Sequence, residues 1–400
     1  SATDWIPKFL NRFEKQQLIN DTETEDLFYK KLKLVGFIYG VSVDAIPDEQ
    51  ISELKLTREE LTKINLFHAM IFTHSKSRPE ATLEESITSI VDFYATIEKG
   101  KTGFFKKLTL SQNPANSLEK IFAARLNESN NILKKNSTLL ITYALLYVDV
   151  LAFRVFLNSP NQLKSYIQEL ENTIISCSIL ALSSKNKKNK YDIQLLELFD
   201  SSSDYIIRSG ESDQIFTLEG INYLTKKDSL EKKYLMDLCI LAVNDDHKID
   251  DSEYKFLQQL AVVLRFSQIE LKQSIDDLRT FSIVNSTKIQ LFEYSNPINQ
   301  FYKQSTKTVR TLILRNKNRL AKELEESGEL VVLLGQSANR ELNHEEKSKV
   351  KEQLLDVCKS IPSLTIFLLP GGTLLLPLLV KLIPKLLPSS FNENRIDKNK

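Results

Sequence analysis

Residues 234–275 read YLMDLCILAVNDDHKIDDSEYKFLQQLAVVLRFSQIELKQSI, and they give the clearest indication of the fold. Apolar side chains recur at the spacing of one helix face on both sides of an Asp-rich turn at 244–253. At the end of this turn, Asp250 and Glu253 have the spacing of a capping box, in which two side chains close a helix N-terminus. The stretch therefore predicts a helical hairpin.

The rest of the chain indicates more helices of the same kind. Capping boxes are also predicted at Thr57–Glu60, Ser267–Glu270 and Asn343–Glu346. Only ten glycines and eleven prolines occur in 400 residues, and five of these prolines lie between 362 and 388. Because 42% of the residues are hydrophobic and 26% are charged, the composition is that of a globular protein. We predict an all-α fold made of several helix bundles.

A chain of 400 residues is longer than one hydrophobic core usually organises. We predict an N-terminal helical domain at 1–160, a middle helical domain at 161–300 and a C-terminal region at 301–400. Residues 138–157 form an apolar run that is interrupted by Asp149. Arg154 also interrupts this run, so we expect a buried core helix there and not a membrane span.

The composition gives no indication of catalysis or of a cofactor. The net charge of +1 provides no general attraction to nucleic acid, so DNA is not an expected partner. The three cysteines lie far apart, which is typical of reduced thiols in the cytoplasm. Since the sequence contains no Gly-rich phosphate loop, zinc-ligand spacing or Cys/His dyad, we predict that the protein is not an enzyme.

A long apolar segment at residues 361–388 reads IPSLTIFLLPGGTLLLPLLVKLIPKLLP. Residues 364–383 have the length needed to cross a bilayer core, and Lys381 is their only charge. The sequence Pro-Gly-Gly at 370–372 divides the segment. A Pro/Gly-broken helical hairpin is therefore as consistent with the sequence as a straight membrane segment. A hairpin buried inside a soluble helical core is the alternative.

The second half of this segment follows a pattern of Leu-Leu-Pro, then Lys-Leu-x-Pro, then Leu-Leu-Pro-Ser-x-Phe. This pattern resembles the signature of the LETM family (leucine zipper, EF-hand-containing transmembrane proteins), and the similarity extends over about residues 330–391. The residues that we assign to the segment as a functional motif are Pro362, Pro370, Gly371, Gly372, Leu375, Leu376, Pro377, Lys381, Leu382, Pro384, Leu386, Leu387, Pro388, Ser389 and Phe391.

The resemblance implies a cytoplasmic body that is associated with the inner membrane through the C-terminal segment. It also implies a link to cation homeostasis and a ribosome-binding region that begins at this segment. Bacterial relatives with this C-terminal arrangement are described as biofilm-associated. Membrane lipid and the ribosome are thus the expected partners. Self-association is a further expectation if the protein takes part in transport, because one segment offers few intramembrane polar groups.

The hairpin at 234–275 resembles the TerB-like helical domain of tellurite-resistance proteins, although His247 stands where that family usually has glycine. The same turn half-matches an EF-hand loop, but Ala242 occupies the first ligand position, so standard calcium binding is not expected. Two interpretations remain for the acidic side chains of the turn: a weak divalent-cation site, or caps and solvated charges. These side chains are Asp245, Asp246, Asp250 and Glu253.

A basic stretch at 303–322 carries seven cationic side chains and no acid. An apolar stripe runs through it, so we predict one amphipathic helix whose cations face ribosomal RNA or anionic lipid headgroups. The alternative is a solvated helix whose cations pair with the acids at 323–329. The cations are Lys303, Lys307, Arg310, Arg315, Lys317, Arg319 and Lys322.

The leading interpretation is a LETM-like membrane-associated scaffold that contacts ribosomes and is linked to cation balance. Two alternatives belong to other classes: a soluble TerB-like stress-response or interaction module, and a part of a cation/proton transport system. Pelleting with membranes distinguishes the soluble module from the other two.

Overall fold

The computed structural model describes residues 4–13, 18–20, 22–46, 56–97, 113–126, 143–188, 192–193, 196–197, 229–244, 249–289, 306, 309–361, 364, 367, 375–388 and 391. Within these residues every regular element is a helix and none is a strand, which confirms the all-α class.

The helices are α1 (Trp5–Leu10), α2 (Glu25–Leu34), α3 (Arg58–Ser77), α4 (Leu83–Ile97), α5 (Pro114–Arg125), α6 (Tyr147–Asn158), α7 (Leu163–Ser184), α8 (Ser229–Val243), α9 (Asp251–Leu264), α10 (Gln268–Val284), α11 (Lys317–Glu326), α12 (Gly328–Ser337), α13 (His344–Ser360) and α14 (Leu376–Leu386). A 3₁₀ turn, Pro160–Gln162, precedes α7.

All four predicted capping boxes are present. They stand at the N-termini of α3, α9, α10 and α13, and each cap side chain accepts a hydrogen bond from the backbone N–H three residues on. In each box the glutamate reaches back to the N–H of the cap residue. Two backbone N–H groups at each helix start, which have no partner within the helix, are thus hydrogen-bonded by nearby side chains. Because those side chains are three residues apart, the spacing alone predicted these helix starts.

The N-terminal helices surround α3, which is buried along most of its length. Helices α4 and α6 pack on α3, and α5 packs on α4. Aromatic rings fill the space between them, and Phe28 stacks on Phe72 with ring centroids 4.0 Å apart. A bundle with so many aromatic side chains buries a large apolar area, which is the main favourable term in its stability.

Helix α6 is the predicted core helix of the apolar run, and both of its charged residues are paired. The Asp149 carboxylate is fully buried and accepts two hydrogen bonds from the Arg125 guanidinium of α5, at 2.7 and 3.0 Å. The Tyr94 hydroxyl of α4 donates a third, at 2.9 Å. Burial, and next the Asp149 charge, raise the pKa of Tyr94, so the phenol stays protonated as the donor.

The other charge of α6 connects the N-terminal and the middle helices. The Arg154 guanidinium donates to Glu231 of α8 at 2.7 Å, and the Tyr166 hydroxyl of α7 donates to the same carboxylate at 2.8 Å. Between α2 and α8, Lys33 lies 3.0 Å from Asp237, whose other oxygen accepts from the Tyr29 hydroxyl at 2.7 Å. These pairs join helices on both sides of the boundary that we predict at residue 160.

The C-terminal helices form a group in which α12 packs against α11, α13 and α14. The basic stretch that precedes them differs from the single helix that we predicted. Residues 309–315 are helical, Asn316 forms a turn, and α11 begins at Lys317. Asn316 closes the first helical stretch, since its N–H donates to the Leu312 carbonyl at 3.2 Å, and it also opens α11, since its own carbonyl accepts from Leu320 N–H at 2.8 Å.

No helix among the described residues has both the length and the apolar character needed to cross a membrane. Helix α14, the described helix of the apolar segment, has 11 residues and a buried apolar side.

We predict that Asp149→Ala lowers the free energy of unfolding by about 3–5 kcal/mol, because it leaves the Arg125 charge buried without its partner. Denaturant unfolding measures the change. The control is Asp92→Ala on the exposed side of α4, which should change stability by no more than about 0.5 kcal/mol. Equal effects of the two substitutions would contradict the role assigned to the pair.

We also predict that Asp250→Ala destabilises the protein by about 1 kcal/mol, since the first turn of α9 loses its side-chain acceptor. Asp250→Asn should retain most of the stability, because the amide oxygen can accept the same hydrogen bonds. Thermal unfolding of the two variants gives the comparison. If Asn is as harmful as Ala, the cap interpretation is wrong.

Candidate functional site

The start of α13 is fixed by a network of side chains at the surface. Asn343 Oδ1 accepts from Glu346 N–H at 2.9 Å, and Glu346 Oε2 accepts from Asn343 N–H at 2.9 Å. The Arg340 guanidinium donates two hydrogen bonds to the same carboxylate, at 2.8 and 2.6 Å. The Arg340 hydrogen bond, followed by the Asn343 N–H, lowers the pKa of Glu346 to about 2. The turn between α12 and α13 therefore has a defined geometry at neutral pH.

A second surface link holds α12 against α13. Glu329, in the first turn of α12, accepts from Lys349 Nζ at 3.0 Å and from the Gln353 amide at 2.9 Å. The Lys349 hydrogen bond lowers the pKa of Glu329, and the same contact raises the pKa of Lys349. Glu329 thus pairs with α13, and not with the basic stretch as the alternative interpretation of the sequence predicted.

Helix α14 presents two unlike sides. Leu376, Leu379 and Ile383 are fully buried. On the opposite side Lys381 and Lys385 are exposed, one helical turn apart. Neither lysine forms an ion pair within the described residues. The helix thus carries its apolar residues inward, against the other C-terminal helices, and its cations outward.

The two prolines of α14 occupy different positions. Pro377 lies in the first turn, where a missing N–H costs nothing because that donor would be unsatisfied in any helix. Pro384 lies inside the helix, close to its end at Leu386. Beyond the helix, the Phe391 ring approaches α12, and a Cβ built at Gly335 would lie 3.6 Å from it. The aromatic end of the motif therefore packs beside α12.

The structure describes only part of the motif that the sequence predicts. Leu375, Leu382, Pro384, Leu386 and Phe391 are partly buried, Leu387 is buried, and Pro388 is exposed. Ile361, Leu364 and Phe367 of the same apolar segment are buried. Pro362, Pro370, Gly371, Gly372 and Ser389 lie outside the described residues, and so does the predicted Pro-Gly-Gly break.

The cations of the basic stretch lie at the protein surface. Arg310, Arg315, Lys317, Arg319 and Lys322 are exposed, and within the described part of the chain none of them forms an ion pair. Lys303 and Lys307 lie outside that part. The acids Glu323, Glu325 and Glu326 also form no ion pair with these cations, so the predicted pairing within the stretch is not observed among described residues.

Two acids of the Asp-rich turn, Asp250 and Glu253, lie within the described residues, and both cap the N-terminus of α9. Asp250 Oδ1 accepts from the Ser252 and Glu253 N–H groups at 2.8 and 2.9 Å, and Glu253 accepts from Asp250 N–H at 2.8 Å. The Ser252 hydroxyl is the largest of the interactions that lower the pKa of Asp250. Asp245 and Asp246 lie outside the described residues, so the predicted cation site is not tested. Among described residues no group of His, Cys, Asp or Glu has a metal-binding arrangement.

Sequence reasoning missed two features of this region. Lys385 was not assigned, although its spacing of four residues from Lys381 places both on one side of a helix. The ion pair between Arg340 and Glu346 was also missed. Arg340 precedes the helix, so the helical spacing of the sequence does not indicate its partner.

Comparison with known proteins identifies one part of the chain. The family model described as "LETM1-like, RBD", a ribosome-binding domain, matches residues 342–400. No curated protein and no solved structure matches the chain. The match begins one residue before Asn343, the cap of α13, and includes α14 with its two exposed lysines. The C-terminal part of this chain is therefore similar to the ribosome-binding domain of LETM1-like proteins.

Proposed function

We propose that this protein is a LETM-like scaffold that binds ribosomes through α13 and α14. The observation that carries the proposal is the family match at 342–400, which includes both helices. The surface chemistry agrees with it, because residues 361–391 contain two lysines and no acid. The role is one of binding, without catalysis or a cofactor.

The two lysines of α14 are the proposed contacts to ribosomal RNA. Lys381 and Lys385 project from the side opposite to the buried leucines, so contact with a polyanion needs no rearrangement of the core. Their ammonium groups contact phosphates and release counterions, which makes binding sensitive to salt. The packing of α14 on α12 keeps both lysines on the outward side of the C-terminal helices.

We further propose that the apolar segment associates the protein with the inner membrane. The support is its composition, since a single lysine interrupts the apolar residues of 364–383. In the structure the apolar side of α14 packs on α12, so insertion of this side into lipid requires that contact to open. The proposed link to cation balance, including a part in cation/proton transport, derives from the family resemblance alone.

The TerB-like interaction module is retained as the alternative for a protein that binds neither ribosomes nor membranes. Its support is the family resemblance of residues 234–275, together with helix α8 and the capped N-terminus of α9.

For the ribosome, we predict that the full-length protein co-sediments with purified ribosomes. Lys381→Glu with Lys385→Glu should weaken binding by roughly tenfold or more, equivalent to about 1.4 kcal/mol, because two cations that face RNA are reversed. The control, Lys272→Glu with Arg279→Glu, makes the same change in charge at exposed positions of α10 and should bind normally. Equal binding by both variants would exclude the α14 surface.

For the membrane, we predict that the full-length protein stays in the pellet after a carbonate wash. A chain that ends at Ser360 should be released, because it lacks the apolar segment. Circular dichroism of the shortened chain checks that the remaining helices are formed. The membrane proposal fails if the full-length protein is monodisperse without detergent and absent from the pellet.

A further inference from the structure

Upstream of the family match, a stripe of three exposed cations lies at the end of the helical stretch 309–315 and on α11: Arg315, Arg319 and Lys322. We propose that this basic stripe is a second contact site, which binds the phosphate backbone of RNA independently of base sequence. That the RNA is ribosomal rests on the proposed function. The stripe itself lies outside residues 342–400, so the match does not assign it.

The backbone places the three cations close together along the chain. Arg319 and Lys322 are three residues apart on α11, so they share one flank of that helix. Arg315 is the last residue of the helical stretch before the turn at Asn316, and it is exposed like the other two. The three cations therefore lie within eight residues of chain, a spacing that lets each of them contact a different phosphate of one nucleic acid strand.

The stripe is free to bind an external anion. Its three side chains are exposed and form no ion pair with any described residue. Glu323 and Glu326 lie one turn beyond Arg319 and Lys322, yet neither contacts them within hydrogen-bonding distance in the structure. Arg315 has no acid within four residues on either side. Arg315 and Arg319 are therefore the best positions for a test.

The buried side of the same stretch favours RNA over a lipid surface. A helix that lies on a membrane inserts its apolar side between the lipids. Here that side is already occupied, because Val309, Leu320 and Leu324 are 0% exposed within the protein's own core. Among the large apolar side chains of 309–324 only Leu314 is exposed, so the stretch lacks the wide apolar face that a membrane-lying helix inserts. Guanidinium groups also match phosphate oxygens with two parallel N–H donors, which suits a fixed array of phosphates.

The test measures binding of the full-length protein to a labelled short RNA duplex by fluorescence anisotropy, between about 50 and 200 mM salt. Arg315→Glu with Arg319→Glu should weaken binding. It should also reduce the slope of log Kd against log salt by about two, since two phosphate contacts are lost. Arg315→Lys with Arg319→Lys keeps the charges and should keep the slope. The melting temperatures of both variants should match that of the unchanged protein.

Two results would overturn the inference. One is an unchanged affinity and slope in the Glu variant. The other is binding to phosphatidylglycerol vesicles together with no binding to the duplex, which would make the stripe a lipid contact. Co-sedimentation with ribosomes distinguishes this inference from the proposed function. If Arg315→Glu with Arg319→Glu binds ribosomes normally, only the stripe is contradicted. If the unchanged protein does not bind ribosomes, the proposed function is contradicted.

Discussion

Two opposite charges on one buried helix determine how the main body of this protein is arranged. Asp149 and Arg154 belong to α6, and five residues of helix place them about 140° apart around its axis. An unpaired charge inside a protein costs several kcal/mol, so each must meet a partner on a different side. Asp149 meets Arg125 of α5, and Arg154 meets Glu231 of α8. The helix thereby becomes the junction of the N-terminal and the middle helices.

Among the described residues, the C-terminal helices are held together by apolar contacts and not by buried ion pairs. Their ion pairs, such as Arg340 with Glu346 and Lys349 with Glu329, lie at the surface, where such pairs contribute little to stability. Cohesion comes from the apolar side chains that α11, α12, α13 and α14 bury against one another. Lys381 and Lys385 form no ion pair with the described residues, so they are not needed for this cohesion and are open to a polyanion.

Local features of the fold were predictable from the sequence, and long-range partners were not. The four capping boxes depend on residues three apart, so spacing alone identified them. The two charges of α6 indicated a buried helix, but nothing in the sequence pointed to Arg125 as the partner of Asp149. Glu329 was expected near the basic stretch, yet α12 and α13 fold against each other and bring Lys349 to it. The turn at Asn316 had only the weak helix preference of asparagine as a signal.

The apolar side of α14 limits the states that this region can adopt. Full burial of a leucine or isoleucine side chain contributes about 1.5–3 kcal/mol, and Leu376, Leu379, Ile383 and Leu387 are all 0% exposed. Exposure of these four to water would therefore cost about 6–12 kcal/mol, comparable to the whole stability of a domain. Only another apolar medium can replace α12 as their partner.

Lipid is such a medium, so the proposed membrane association would replace the contact with α12, without a stable water-exposed intermediate. Lys381 and Lys385 lie on the side of α14 away from these four residues. In either state the lysines remain in the aqueous phase or at the headgroups, where a cation is well solvated. Ribosome binding by this surface is thus compatible with both arrangements of the apolar segment, which is why the two proposals can be tested separately.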